Sequence, residues 1–183
     1  TSSVTDRAGD DNLGGSYGGP TKTINGNQAG DFTGSSDTLD AAYSDAAQPY
    51  ERFVVAKVTS VDAKYAIVGG FDTFNHLNTE TGTGGKWRFF AGSYIDGNSA
   101  DTNPHLFSIV ADGGSSALRV DGSEQVSGDA GTNDPGGITV GADNDNTENA
   151  PLIVGEIADY DPQATGYDRS AVESYFISKW GLL

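Results

Sequence analysis

The chain has 183 residues, enough for one domain with a sizeable core, and it is 36% apolar and 10% aromatic with 26 Gly. Acidic residues number 26 against 10 basic ones, a net charge of −16. That balance rules against nucleic acid as a partner, because phosphate repulsion opposes counterion-driven binding, and it disfavours anionic membrane surfaces.

In chain order, residues 1–28 read as a loop-rich opening, with Gly and Asp crowded into "GDDNLGGSYGGP". The next stretch alternates small and polar residues around Phe32, Leu39 and Tyr43. The first clear strand is the β-branched run Glu51–Val61, followed after "DAK" by "YAIVGGF". Residues 74–87, "FNHLNTETGTGGKW", read as a long polar loop of the kind that carries function. Strands are then expected over Lys86–Ile95, His105–Asp112, Ser116–Gly122 and Gly137–Asp143. "DGGS" at 112–115 and Asp121-Gly122 are hairpin signals, and "LIVGEIAD" at 152–159 reads as a core strand. The helix comes last, over 165–180. It places Val172, Tyr175, Phe176 and Trp180 on one face, offers Thr165/Asp168 or Ser170/Glu173 as capping pairs, and has Lys179 and Gly181 at its end. Many short strands separated by Gly/Asn/Asp clusters predict an all-β sandwich or barrel closed by one helix.

The chain also lacks Cys, which leaves no disulfide and no thiol chemistry, and it lacks Met, which points to a processed protein or a piece of a larger one. No apolar run approaches a membrane span, so membrane insertion is not expected. Asp outnumbers Glu by 20 to 6 and Lys is held to 5. Scattered acid of this kind would repel itself at ordinary ionic strength and is tolerated in molar salt, where the screening length falls to about 3 Å. It therefore reads as halophilic adaptation, with calcium binding as the competing explanation.

Three groups of residues resemble the concanavalin A-like, laminin-G-like jelly-roll family. The opening places Asp6, Gly9, Asn12, Phe32, Gly34, Asp37 and Leu39 in that family's "D-x-x-G" loop and "F-x-G-x-x-D-x-L" strand. Val120-Asp121-Gly122 is similar to its "V-D-G" strand pair, and "ITVGAD…LIVGEIADYD…DRSAVESYFISKWG" is similar to its closing strand and helix. The family's usual first strand is missing, and the strand after "GEIA" is short. The resemblance implies a two-sheet antiparallel jelly roll with a C-terminal helix packed on it, a single domain over 1–183. It also implies a non-catalytic extracellular module, such as a virion decoration, turret or tail-fibre domain, or an adhesion domain. Other copies of itself, other structural proteins or a host-surface glycan would be its partners. A carbohydrate-binding module of a secreted hydrolase is the alternative, and a glucanase the minor one.

Residue types define the candidate chemistry. Retaining glycoside hydrolysis needs two carboxylates on one face, whereas Glu156 and Asp159 project to opposite faces of a regular strand. Neither His76 nor His105 has a sequence-adjacent nucleophile. Calcium wants six to eight oxygens on a loop, and Asp143, Asn144, Asp145 and Glu148 offer them after a predicted strand, with Asp6, Asp10 and Asp11 as a second cluster. The loop is not an EF-hand, since Glu148 stands where Gly is needed and Val154 where Glu is needed. A solvated acidic loop is the competing reading. Glycan binding would use an aromatic platform with polar neighbours, for which Trp87, Tyr94, Phe74 and His76 are the candidates. Against that, Trp87, Phe89 and Tyr94 could alternate into the core.

Overall fold

The computed structural model describes residues 13–19, 21–34, 36–43, 47–79 and 85–182. Two seven-stranded antiparallel sheets face each other. The first runs, in spatial order, β1 (Gly14–Ser16), β4 (Thr38–Ala42), β13 (Gly137–Val140), β6 (Tyr65–Gly69), β7 (His76–Thr79), β8 (Lys86–Phe90) and β9 (Tyr94–Ser99). The second runs β12 (Ser123–Gly128), β11 (Ser116–Val120), β10 (His105–Ala111), β5 (Tyr50–Val58), β14 (Pro151–Tyr160), β3 (Asn27–Thr33) and β2 (Lys22–Ile24). The expected all-β sandwich with one C-terminal helix is the architecture found.

Alternation explains how each sheet builds its layers. Along β5, Val54, Ala56 and Val58 enter the core between the sheets, while Phe53 and Val55 point to the other face. That outer face of the second sheet is covered by α1 (Arg169–Trp180), whose Phe176 and Trp180 join Phe53, Val55 and Leu106 in a second apolar cluster. Two buried carboxylates pin the helix down. Glu173 accepts from Arg119 Nε at 2.7 Å and Ser108 Oγ at 3.0 Å, and Glu51 accepts from Arg169 Nε at 2.6 Å and from the Tyr167 hydroxyl. Among the described residues, the outer face of the first sheet has no such helix.

Four features differ from the sequence reading. The expected loop-rich opening contains β1, β2 and the start of β3, short strands rich in Gly, Ser and Thr that carry too few apolar residues to show a period; residues 1–12, with Asp6, Gly9, Asp10, Asp11 and Asn12, lie outside the described residues. Lys86–Ile95 is a hairpin, β8 and β9, broken by the turn at Ala91–Ser93. The long polar loop contains β7, and residues 80–84 of it lie outside the described residues. The helix begins at Arg169, where Asp168 caps it by accepting from the amides of Ser170 and Ala171, and Tyr175 is exposed on its flank. The Asp121-Gly122 turn is as expected: φ of 50° and 76° gives the doubly left-handed turn that matches strand twist between β11 and β12.

Candidate functional site

The outer face of the first sheet, which carries no helix among the described residues, presents polar and aromatic side chains. On β7, Leu77 enters the core, so His76 and Asn78 project outward. Register then assembles two rows across the sheet. One runs Thr139, Gly69, His76, Phe90, Tyr94, each opposite the next on the neighbouring strand. The other runs Ala66, Asn78, Arg88, Asp96. Residues in directly opposed pairs lie about 4.5–5.5 Å apart, so each row places its side chains next to one another, with a gap at Gly69 in the first.

The loop between β13 and β14 folds over one end of these rows. Gly69 makes this possible, because a Cβ there would stand 3.0 Å from the Ala142 carbonyl oxygen and 3.1 Å from Asp143 Cα. The returning chain is then tied down beside β6, where the Ala66 amide donates to the Glu148 carbonyl at 2.9 Å and Ala66 forms a bridge with Asn149. The acidic loop and the polar strand that the sequence separates by more than sixty residues thus share one surface.

Aromatic rings surround His76. Phe90 stacks on it at 5.3 Å between centroids, Phe74 meets it edge-on at 6.3 Å, and Tyr94 is tilted at 6.2 Å. Phe74 and Tyr94 are 46% and 37% exposed, so the cluster reaches solvent at one edge. Arg88 lies over the Tyr94 ring at 4.0 Å and donates from Nε to Asp96 at 2.6 Å; Lys64 lies 5.8 Å from the same ring and pairs with Glu148.

His76 and Asn78 are 3% and 0% exposed, and neither ring nitrogen of His76 nor either amide atom of Asn78 has a hydrogen-bond partner. The same is true of Asn144 Oδ1, Glu148 Oε2 and Asn149 Nδ2. Buried polar atoms are nearly always satisfied, since an unpaired one costs about 1–3 kcal/mol, so the two adjacent outward side chains of β7 with unpaired atoms mark this face as a polar site. Burial, reinforced by the nearby Lys64 charge, pulls the His76 imidazole down to about 4, so the ring is neutral at ordinary pH.

Of the residues singled out from the sequence, Tyr94, Phe74 and His76 come together. Glu148 reaches Tyr94 through Lys64, and Asp143 lies against Gly69, the cross-strand partner of His76, while among the described residues no hydrogen bond ties Asn144 Oδ1 to the cluster. Trp87 does not join it: it sits on the inward face of β8, 3% exposed, against Phe107 at 4.8 Å. The Asp143 carboxylate accepts from the Thr147 amide at 2.7 Å, the Thr147 hydroxyl at 2.9 Å and the Glu148 amide at 3.2 Å, and although burial opposes its charge, these bonds hold it below the usual carboxylate range. Asp145 accepts from the Thr147 hydroxyl at 2.8 Å. These carboxylates close the loop on itself, and among the described residues no group of three or more His, Cys, Asp or Glu is arranged to hold a metal ion. Asn78, Phe90, Arg88 and Lys64 were not among the sequence candidates; the i, i+2 spacing of His76 and Asn78 about Leu77 was the available signal.

Two other polar clusters are internally satisfied. Glu156 accepts from Trp180 Nε1 at 2.9 Å on the helix side of β14, while Asp159 pairs with Arg52 at 2.7 Å on the other side, so the two occupy opposite faces as expected. An open depression of about 520 Å³ borders Tyr43, Tyr50, Asp159 and Tyr160, but the Asp159 carboxylate is held by Arg52 and Tyr43, and the Tyr50 hydroxyl donates to Asn75.

No protein-family model and no curated protein sequence matches the chain. Solved structures do. Domain 4 of AbnA, a GH43 extracellular arabinanase from Geobacillus stearothermophilus, in complex with arabinotriose, superposes with a TM-score of 0.61 at 14% identity, covering 85% of this chain and 85% of that one. Trypanosoma rangeli sialidase in complex with sialic acid gives 0.66 at 11% identity, covering 92% of this chain and 30% of that chain. A mutant of HCR/D gives 0.61 at 12%, covering 91% and 47%. This chain thus spans less than a third of the sialidase. At such identities the likeness establishes the fold, a jelly-roll-like β-sandwich. It also corrects the expectation of a non-catalytic module: the fold occurs within a sialidase and an arabinanase, so it gives no ground for setting this chain apart from enzymes. The expected virion role finds no counterpart among these neighbours.

Proposed function

We propose that the chain binds carbohydrate on the outer face of its first sheet, in the cluster formed by β7, β8, β9 and the β13–β14 loop. The observation that carries this is the pair His76 and Asn78, buried side by side with every side-chain nitrogen and oxygen unpaired and bordered by the exposed rings of Tyr94 and Phe74. Polar groups that converge beneath a partly exposed aromatic edge are what a sugar requires: hydroxyls to pair with the amide and imidazole, and an apolar ring face to lie on the aromatic one. Neighbours of the same fold include a domain bound to arabinotriose and a sialidase bound to sialic acid, which supports a saccharide as the ligand class.

The test is a glycan array followed by calorimetry on the best hit, repeated with Tyr94→Ala and His76→Ala. Tyr94 is exposed enough to be removed without opening the core. Loss of affinity by about tenfold or more in both variants, that is about 1.4 kcal/mol, is expected. Undiminished binding in both would place the ligand elsewhere, and an array without hits would refute the reading.

A further inference from the structure

The same unpaired atoms specify more than a saccharide, and the selectivity derived from them rests on the carbohydrate reading above. A neutral imidazole presents one donor and one acceptor, and the Asn78 amide presents two N–H donors and a carbonyl. Beside them Glu148, which holds Lys64 next to the Tyr94 ring through Oε1, adds an acceptor through its unpaired Oε2. Donors and acceptors are therefore interleaved, which suits a ligand whose groups both give and receive hydrogen bonds. Hydroxyls do this; carboxylates and sulfates only accept.

The charges say the same. The cations beside His76 and Tyr94 are already engaged, Lys64 by Glu148 and Arg88 by Asp96. Asp143 adds a third carboxylate beside His76. The face therefore holds more negative than positive charge before the net −16 of the chain is counted. An acidic sugar keeps its hydroxyls but adds a carboxylate or sulfate that offers no donor to the acceptors here and brings its charge to a face already negative on balance.

We infer that this site selects neutral, polyhydroxylated sugars and rejects uronates, sialates and sulfated sugars, with Glu148 as the residue that sets the choice. Glu148 excludes anions because its charge offsets that of Lys64, which would otherwise attract them. Replacing it by the isosteric amide removes that one negative charge and leaves Lys64 uncompensated.

The experiment is an array carrying neutral oligosaccharides, arabinotriose and laminaritriose among them, beside 3′-sialyllactose, trigalacturonate and a sulfated disaccharide. It is read in about 0.1 M and about 1 M NaCl, because the higher salt screens the charge of the whole chain more than that of the partly buried Lys64–Glu148 pair. Binding confined to neutral sugars at both salts is expected. Glu148→Gln should raise binding to the acidic sugars by about tenfold or more relative to the neutral ones. Acidic sugars bound as tightly as neutral ones by the unmodified protein would overturn the selectivity while leaving the carbohydrate reading intact, and so would a preference that vanished at high salt. A folded Glu148→Gln protein with an unchanged ratio would remove Glu148 from its role. No binding to any sugar would overturn both inferences together. Should Glu148→Gln melt far below the parent, the two-salt comparison on the parent still decides.

Discussion

Asn78 offers a test in which stability and binding move in opposite directions. Its side chain is fully buried, and neither its carbonyl oxygen nor its amide nitrogen has a partner. In the unliganded protein that desolvation is uncompensated and costs about 1–3 kcal/mol. Leucine has the same branching at Cγ, with methyl groups in place of the two polar atoms, so Asn78→Leu removes the penalty and adds only a modest steric load, which overpacking studies put at about 1 kcal/mol or more. The net expectation is a gain of about 0–2 kcal/mol. For a chain of this length, each kcal/mol moves the melting temperature by about 2–4 °C, so the variant should melt no lower than the parent and up to about 8 °C higher. Sugar binding should at the same time be lost. The assay is thermal unfolding followed by circular dichroism, with calorimetric titration of the glycan found for the parent. A folded variant that melts several degrees lower would refute the reasoning. Asn78 would then be making hydrogen bonds that matter without ligand, and the face would hold nothing in waiting.

The remaining predictions are more local. Arg52 is buried, pairs with Asp159, and donates to the Tyr43 hydroxyl and to the Gly69 and Gly137 carbonyls; Asp159→Asn leaves that charge uncompensated and should lower the free energy of unfolding in urea by about 3 kcal/mol. A loss under about 1 kcal/mol would show that Tyr43 and the carbonyls suffice. The two histidines should titrate in opposite directions in ring-nitrogen NMR. Burial pulls His105 down, but its bonds to Asp121 at 2.6 Å and Asp101 at 3.0 Å outweigh this and raise it, so its stabilisation is complete below about 6.5 and lost as pH rises through the raised value. His76 is depressed to about 4, so its contribution is present above about 6.5 and lost as pH falls toward 4. Reversed order of the two titrations would contradict the geometry of both. Calcium at constant ionic strength should leave the melting temperature unmoved, because the Asp143 oxygens already accept from Thr147 and Glu148; a calcium-specific rise of several degrees would show that these bonds open to admit the ion.

The parts of the fold that sequence discloses are those whose side chains face two apolar layers. In β5 and β10, one set of residues enters the inter-sheet core and the other meets the helix, so each contains consecutive apolar residues, Phe53–Ala56 in β5 and Ile109–Ala111 in β10. β14 is legible for the same reason. β7 is hidden because its outward positions are His76 and Asn78 and only Leu77 enters the core, so a strand devoted to a polar face is written like a loop. The same alternation separates Trp87 from its neighbours: a large aromatic ring looks equally suited to platform and core, and only register shows that Phe90 and Tyr94 share the His76 row while Trp87 does not. The acidic loop was recognisable as a candidate, yet its proximity to His76 depends on the space left by Gly69, which no local pattern announces.

The loop over the site is also one of the strand connections that carry the chain from the first sheet to the second. Its far end enters β14, which sits between β5 and β3 and receives the Trp180 indole on Glu156. A ligand gripped between that loop and β7 would therefore act as a brace on this connection, fixing it at its first-sheet end. Occupancy at one surface would be felt as slower opening of the strand that anchors the helix on the other.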